Sequence, residues 1–221
     1  MQITLLGGTG DIGEGIALRV ARDTDHEVVV GSRDAEKAAD AASAYTETLA
    51  DHGADASVEG VANPEAAAGA DVVVLAVPAY HLTDTIGAVA DELGDAVLVS
   101  PAVGMQRDED GLHYNPPGVG SVTQLAASSA PDDVPVVGAF HNLAAAKLAA
   151  LDAELDWDVP VVGSDGDAKA TVTGLVDEIQ GLRPLDAGAL ANAAEVESLT
   201  PLLITLASNN EGLHDLGVKF Q

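Results

Sequence analysis

The chain has 221 residues, with 36 Asp and Glu against 9 Lys and Arg, a formal net charge of −27 at pH 7, and no cysteine. The length suits one compact α/β unit, or one main domain with a smaller appendage. The charge argues against DNA, RNA or anionic lipid as a partner, because phosphate groups would meet a repelling surface. Without cysteine the chain can form no disulfide, thiolate metal site or cysteine nucleophile.

The acidic residues are spread along the whole chain. They would repel one another at ordinary salt, whereas at about 1 M salt the Debye length falls to about 3 Å and screens most of that repulsion. We therefore predict adaptation to a high-salt cytoplasm, and the alternative is an ordinary acidic enzyme. No targeting segment is visible, and the most apolar stretch, residues 72–80, is far shorter than the ~20 residues of a membrane span. The sequence thus predicts a soluble, cytoplasmic protein.

Short β-branched runs alternate with longer Ala-rich segments of helical character. Several of these runs are continuously apolar, which is typical of strands buried on both faces. The alternation predicts an α/β fold with a Rossmann-type, doubly wound parallel sheet. Strands are predicted at residues 3–6, 27–31, 56–60, 71–77, 96–100, 134–140 and 159–164, and helices near residues 11–22, 34–51, 80–93, 119–129, 166–180 and 190–211.

The sequence contains no repeat and no low-complexity linker. Residues 101–120, rich in Gly, Pro and Asp, are predicted to be the longest irregular loop. A faint change in composition lies near residues 145–158. We take it as the boundary between a nucleotide-binding domain, residues 1–150, and a small C-terminal domain, residues 151–221.

The first predicted strand runs directly into the glycine-rich segment GGTGDIG at residues 7–13. Gly8, Gly10 and Gly13 have the G-x-G-x-x-G spacing, in which the glycines permit a tight turn, approach of a pyrophosphate, and close packing of helix on strand. The following helix directs its N-terminal N–H groups at the anion. Asp11 is expected to cap that helix and point outward. The context predicts a dinucleotide site, and a glycine-rich turn without a ligand is the alternative.

The end of the second predicted strand indicates which dinucleotide binds. An NAD site usually carries Asp or Glu there for the ribose 2′-hydroxyl, whereas this chain has Ser32 and Arg33, with Lys37 one helical turn further on. A hydroxyl, a guanidinium and an ammonium suit a 2′-phosphate, and Thr9 can add a second hydroxyl. We therefore predict NADP. The alternative is that the two cations form surface ion pairs with neighbouring carboxylates.

The remaining strand ends should border the reacting groups, because ligands of open α/β sheets lie outside the carboxyl ends of the strands. His141 is a candidate general acid there, or else a histidine that packs and positions the backbone. No metal-ligand motif and no nucleophile elbow occurs. The residues predicted at these ends are Val77, Pro78, His81, Ser100, Ala102, His141, Asn142 and Leu143.

Segments spread over nearly the whole chain carry a family resemblance. They are GGTGDIG, HEVVVGSR, VVLAVP, LVSP, FHN, LDWDVPVVG, GLRPLDAG, VESLTPLL and the terminal LGVKF. Together they resemble the coenzyme F420:NADP oxidoreductases of archaea and actinobacteria, and GLRPLDAG (181–188) and VESLTPLL (196–203) are more specific than the glycine motif. The resemblance implies reversible hydride transfer between NADP(H) and the 5-deazaflavin coenzyme F420, with the C-terminal domain helping to form the deazaflavin site.

The resemblance also implies roles for particular residues. Both cofactors are hydride carriers, so the protein would orient their rings and need no essential acid or base. His141, Asn142 and Leu143 would line the ring contact, and Ser198 and Thr200 would contribute from the C-terminal helix. The 2′-phosphate would be bound by Thr9, Ser32, Arg33 and Lys37, and the rest of the cofactor by Gly8, Gly10, Asp11, Ile12, Gly13 and the strand-end residues named above.

Two other functions stay open from the residues alone. An NADP-dependent reductase of a small imine or carbonyl substrate would need a proton donor near Ser100 or His141. A non-catalytic NADP-sensing domain would need only the dinucleotide site. In each case the expected partners are small molecules, and we expect a homodimer.

Overall fold

Apolar, β-branched segments form one central eight-stranded sheet in the computed structural model, which describes residues 1–221. The ten strands are β1 (Gln2–Leu6), β2 (Glu27–Ser32), β3 (Val58–Ala62), β4 (Val72–Leu75), β5 (Val97–Ser100), β6 (Met105–Asp108), β7 (Gly111–Tyr114), β8 (Val136–Gly138), β9 (Trp157–Gly163) and β10 (Leu182–Asp186). The sheet order is β10-β9-β8-β5-β4-β1-β2-β3, and β6 with β7 forms a separate antiparallel hairpin. Strands β4, β5 and β9 are buried along their whole length.

Helices cover both faces of the sheet. Alternate residues of β1 point to opposite faces, so Leu5 belongs to a core layer with α1, α2 and α7, and Leu6 to a second layer with α3, α4 and α5. Side chains cap several of the helices, as where Asp34 accepts hydrogen bonds from the N–H groups of Glu36 and Lys37. The helices are α1 (Asp11–Asp23), α2 (Ala35–Asp51), α3 (Asn63–Ala67), α4 (Leu82–Gly87), α5 (Val122–Ser129), α6 (Ala145–Ala149), α7 (Gly166–Glu178), α8 (Ala193–Glu197) and α9 (Leu199–Asn209).

The predicted Rossmann-type α/β fold is confirmed, with one reversal of strand direction. All neighbouring strands pair in parallel except β8 and β9, which pair antiparallel through Val137–Gly163 and Gly138–Val162. Strands β9 and β10 therefore run opposite to the other six. None of the helices combines the length and the apolar character that crossing a bilayer would need.

Several segments differ from the sequence-based expectation. The helix predicted near residues 80–93 is a short helix, α4, between two 3-10 turns, and the short helices α3 and α6 were not predicted. The stretch predicted to be an irregular loop, residues 101–120, contains the β6–β7 hairpin. Strand β10 was not predicted because its sequence, LRPLD, carries charges and a proline, which an edge strand tolerates. The helix predicted over residues 190–211 is broken at Ser198 into α8 and α9, which places Pro201 in the first turn of α9, where its missing N–H costs no intrahelical bond.

The C-terminal third extends the same sheet, since β9 and β10 continue it beyond β8. The division of the chain at residue 150 therefore separates two parts of one continuous sheet, and it stays a prediction. The last residues return to this part of the sheet, where the N–H of Asp158 in β9 donates to the carbonyl of Val218 at 2.7 Å. The small Gly217 lies against the indole of Trp157, which leaves no room for a side chain.

A buried carboxylate fastens the C-terminal segment. Asp158 is inaccessible to solvent and receives two hydrogen bonds from Arg183, both of 2.7 Å, and one from the N–H of Phe220 at 2.6 Å. The hydrogen bonds from Arg183 are the largest of the influences that lower the pKa of Asp158 to about 2. At any pH at which Asp158 is ionised in both the folded and the unfolded chain, its charge therefore stabilises the folded state.

We expect Asp158→Asn to lower the free energy of unfolding at neutral pH by about 1.5–3 kcal/mol, because it removes a charged acceptor. The folded pKa is depressed, so the contribution is present above the unfolded pKa of about 4 and is lost as the pH falls towards 2. Urea denaturation at neutral pH and near pH 3 measures both effects. Asp156→Asn is the matched control, because its exposed carboxylate pairs only with Lys219. Equal losses in the two variants would contradict this account.

Candidate functional site

The glycine-rich segment forms the turn between β1 and α1. A Cβ atom at Gly13 would lie 2.6 Å from the Cα of Gly8, so the start of α1 packs against the turn too closely for any side chain. A Cβ at Gly10 would meet only the carbonyl oxygen of Gly7, at 3.6 Å. The protein itself therefore does not require glycine at position 10. Approach of a ligand to the backbone does explain it, as the sequence motif predicts for a pyrophosphate.

Asp11 does not cap α1, so that prediction was wrong. Gly10 occupies the N-cap position with an extended backbone (φ −100°, ψ 166°), and no side chain accepts a hydrogen bond from the first turn. Asp11 is the first helical residue, and it is exposed. The N–H groups of the first turn of α1 are thus left free for an anionic ligand.

A cavity of about 220 Å³ lies between the glycine turn, the end of β2 and the end of β4. Arg33 and Lys37 line it and are exposed, and neither takes part in an ion pair. The carboxylate of Asp34 is instead engaged by the N–H groups at the start of α2. This removes the ion-pair alternative for the two cations. The predicted residues that line this cavity are Thr9, Gly10, Ser32, Arg33, Lys37, Val77, Pro78 and His81.

Two polar side chains of this first cavity were not predicted. Asn63 is 5% exposed, and its Oδ1 atom is buried without a hydrogen-bond partner. It begins the short helix α3, and neither its type nor its spacing distinguishes it in the sequence. Thr85 also lines the cavity, and its hydroxyl donates to the carbonyl of His81. A basic pair beside an unsatisfied amide oxygen fits a phosphorylated ribose, which offers both an anion and hydroxyl donors.

Tyr45 ties helix α2 to the glycine turn. Its hydroxyl donates to the carbonyl of Gly8 at 3.0 Å, and burial, followed by the charges of Glu14 and Asp11, raises the pKa of Tyr45 to about 12. The phenol therefore remains a donor at any working pH. Because α2 carries Lys37 and begins two residues after Arg33, this bond holds the basic pair in register with the turn.

A second cavity, of about 390 Å³, continues from the first past Gly10, Val77 and Pro78. It leads into a third cavity of about 760 Å³ that is bordered by α9 and the C-terminal segment. The linings are mostly apolar, which suits flat ring systems. Of the predicted residues, the second cavity also contains Asp11, Ile12, Ala102, His141, Leu143 and Thr200, and the third contains Asp11, Asn142, Leu143 and Thr200.

The segment after β8 is held in a constrained conformation beside the second cavity. Phe140 has φ +67°, which is rare for a bulky residue and costs energy that the surroundings must supply. Thr200 donates to the carbonyl of His141 at 2.6 Å, and Asn142 Nδ2 donates to the carbonyl of Asp158 at 2.8 Å. His141 is 3% exposed, and burial lowers its pKa to about 3. The imidazole is therefore neutral at physiological pH.

Four predicted residues line none of these cavities. Two of them, Gly8 and Gly13, pack against each other within the glycine turn, and the other two are Ser100 and Ser198. Ser100 is fully buried at the end of β5, its hydroxyl has no partner, and it lines none of the three. The hydroxyl of Ser198 donates to the carbonyl of Glu195, and Ser198 lines none of them either. Met105 of the hairpin and Leu203, Ile204 and Leu213–Leu216 of the C-terminal region do border the cavities and were not predicted. The apolar side chains among them do not differ in the sequence from core residues, and no motif marks His214 or Asp215.

The chain is similar to a set of related proteins. A family model described as "NADP oxidoreductase coenzyme F420-dependent" matches residues 2–104. The F420-dependent NADP reductase of Methanothermobacter thermautotrophicus is 39% identical over 213 residues, covering 95% of this chain and 90% of that protein. The enzyme of the same name from Methanocaldococcus jannaschii is 38% identical over 209 residues, covering 93% and 92%.

Two solved structures are similar to this chain in fold. A crystal structure described as an F420-dependent NADP reductase of Arthrobacter sp. FB24 is 27% identical, with a TM-score of 0.82 and coverage of 100% of this chain and 99% of that one. A pyrroline-5-carboxylate reductase from Coxiella burnetii is 19% identical, with a TM-score of 0.60 and coverage of 96% and 72%. The second likeness shows the fold alone.

We expect the imidazole of His141 to stay neutral from about pH 5 to 8, because burial disfavours the charged ring. Below the unfolded pKa of about 6.5 the unfolded chain binds a proton that the folded chain does not, so His141 subtracts stability as the pH falls from there towards 3. ¹⁵N NMR of the histidine rings, with His141→Asn to assign the signal, measures the titration. A His141 signal that moves with a midpoint between pH 6 and 7 would contradict the assignment.

Proposed function

This chain belongs to the family of coenzyme F420-dependent NADP oxidoreductases, and we propose that it transfers hydride reversibly between NADP(H) and the 5-deazaflavin coenzyme F420. The observation that carries the proposal is the continuity of the three cavities along the carboxyl edge of the sheet. The first and second share Gly10, Val77 and Pro78, and the second and third share Leu143 and Thr200. A dinucleotide and a second ring system can thus lie end to end in one groove.

The first cavity and the glycine turn would hold the adenine half of NADP. The 2′-phosphate would lie between Arg33 and Lys37, with hydroxyls from Thr9 and Ser32, and the pyrophosphate at the N-terminus of α1. The lack of any ion pair at Arg33 and Lys37 supports this placement, since the two cations have no other charged partner.

The second and third cavities would hold the two rings. The apolar side chains there, Val77, Pro78 and Leu143 among them, exclude water from the contact, and Thr200 fixes the backbone of His141 beside it. The cofactors supply the hydride donor and acceptor, so the chain contributes orientation, which can provide several kcal/mol of rate enhancement when reacting atoms are held ~3–3.5 Å apart. Reduction of the deazaflavin also takes up one proton, which water can supply, so the chain need not provide an acid.

The reductase of a small imine or carbonyl substrate is less well supported. Such a reaction needs a proton donor beside the nicotinamide. His141, with its pKa near 3, carries no readily transferable proton at neutral pH, and Ser100 lines none of the three cavities. A domain that only sensed NADP would not need the large apolar groove beyond the dinucleotide site.

Purified protein with NADPH and oxidised F420 tests the function, because reduction of the deazaflavin bleaches its visible absorbance. We expect bleaching with NADPH, and recovery when NADP⁺ is added to reduced F420. Turnover of pyrroline-5-carboxylate or another imine with no turnover of F420 would contradict the proposal. Binding of NADPH without any turnover would favour the sensor.

We also propose a cytoplasmic homodimer adapted to high salt, with the C-terminal part, residues 151–221, completing the deazaflavin site. Helix α9 is apolar, yet only Pro201 on it is buried, and Leu202, Ile204 and Leu206 are exposed. A second copy of the chain covering this face would remove the apolar surface from water. The border that α9 and the C-terminal segment give to the third cavity supports the role of residues 151–221.

Arg33→Ala should weaken NADPH binding by about 10- to 150-fold and leave NADH use nearly unchanged, because each charge-assisted hydrogen bond to the 2′-phosphate contributes about 1.5–3 kcal/mol. Dissociation constants for both nucleotides, from titration of their fluorescence, measure the effect. Arg107→Ala is the matched control, since Arg107 is exposed on the hairpin and lines none of the three cavities. Equal losses with NADPH and NADH would show that Arg33 supports the fold and does not read the phosphate.

Folding stability and activity should both rise from low salt into the molar range, because screening to about 3 Å at 1 M removes repulsion among the carboxylates. The contact with the 2′-phosphate should weaken over the same range, since salt also screens attraction. Stability should dominate, because it gathers contributions from 36 carboxylates. Thermal unfolding in 0.1 M and 2 M KCl measures the effect of salt on stability, and we expect a higher midpoint at 2 M. An unchanged or lower midpoint at 2 M would overturn the high-salt proposal.

A further inference from the structure

A carboxylate with no cation lies behind the ring site. Glu197, the last residue of α8, is inaccessible to solvent and belongs to no ion pair. Its two oxygens accept hydrogen bonds from Val122 N at 3.0 Å, Thr123 N at 2.8 Å, the Thr123 hydroxyl at 2.9 Å and the Tyr114 hydroxyl at 2.9 Å. The two backbone donors begin helix α5, whose N-terminal dipole also favours the negative charge. These groups satisfy the buried charge in place of a cation.

The Thr123 hydroxyl connects this carboxylate to His141. A hydroxyl has one proton to donate, and the charged oxygen of Glu197 at 2.9 Å takes it in preference to the neutral ring nitrogen, which lies 3.3 Å away. The hydroxyl oxygen then faces His141 Nε2 as an acceptor. A hydrogen bond between the two therefore requires the proton of the neutral ring to be on Nε2.

The other ring nitrogen is left as a bare acceptor. His141 Nδ1 is buried and has no partner within the protein, although the residue lines the 390 Å³ cavity. Thr200 and the Asn142 amide hold the backbone around His141. Thr123 contacts the imidazole itself, so it is the residue that orients the ring.

We propose that Glu197 and Thr123 are positioning residues for the reaction, which together fix His141 as its Nε2–H tautomer in one ring orientation beside the cavity. The proposal rests on the proposed function, in which His141 borders the two rings. Glu197 orients the Thr123 proton, and Thr123 in turn orients the imidazole. The competing interpretation is that Glu197 only caps α5 and holds the hairpin through Tyr114.

Thr123→Val tests the proposal, because it removes the hydroxyl, keeps nearly the same shape and leaves the backbone N–H on Glu197. ¹⁵N NMR without bound cofactors should show His141 as the Nε2–H tautomer in the wild-type protein and in Thr123→Ser. In Thr123→Val it should show a mixture of the two tautomers. With NADPH and F420, kcat should fall about 10-fold in Thr123→Val, the scale of a misoriented active-site group, while the Kd for NADPH stays within about twofold. Thr123→Ser should restore the rate.

Glu195→Gln is the matched control for charge near the site, because Glu195 is exposed and two residues from Glu197. It should change neither the tautomer nor kcat. An unaltered His141 tautomer in Thr123→Val, or no recovery of kcat in Thr123→Ser, would overturn the proposal. If the unchanged protein reduces no F420, the proposed function fails, and the tautomer of the free protein still decides the roles of Glu197 and Thr123.

Discussion

The site depends on one constraint, which is that the parallel strands deliver their carboxyl ends to a single edge of the sheet. Strand β1 lies between β2 and β4, so the chain leaves it on the glycine turn at the point where the strand order reverses. The same edge receives Arg33 after β2, Val77 after β4 and His141 after β8. Because β9 is antiparallel, its carboxyl end lies at the opposite edge of the sheet. Its first residues support the site edge, where the carbonyl of Asp158 accepts a hydrogen bond from Asn142.

Charge is distributed so that the acidic chain still offers a cationic place for a phosphate. The net charge of −27 opposes the approach of any anion over long distances. Arg33 and Lys37 remain unpaired at the first cavity, whereas Arg183 and Lys169 are used in ion pairs within the fold. At His141, which lines the 390 Å³ cavity, burial lowers the pKa and keeps the imidazole neutral. The groove is therefore cationic at the end proposed for the dinucleotide, whereas Asp11 and Asp215 lie in the lining of the third cavity at its other end.

Local sequence patterns predicted the first half of the fold better than the second. The apolar runs of β1, β2, β4 and β5 and the spacing of Gly8, Gly10 and Gly13 are local signals, and they predicted the sheet, the turn and the basic pair. The hairpin β6–β7 escaped prediction because β6 is exposed along its length and shows no alternation. Glu197 escaped because a carboxylate in a helix normally faces water, and its burial is decided by donors 74 and 75 residues away in the sequence. Contacts between residues so far apart in the chain produce no periodic pattern in the sequence.

Transfer of isotope between the cofactors tests the central claim most directly, that hydride passes from ring to ring without exchange with solvent. NADPH carrying deuterium at the transferring position of nicotinamide C4 is mixed with the protein and oxidised F420 in ordinary water, and the product is analysed by mass spectrometry and NMR. Direct transfer predicts one deuterium per reduced F420, all of it at carbon 5 of the deazaflavin. Loss of the deuterium to solvent, or reduced F420 without any label, would contradict the account.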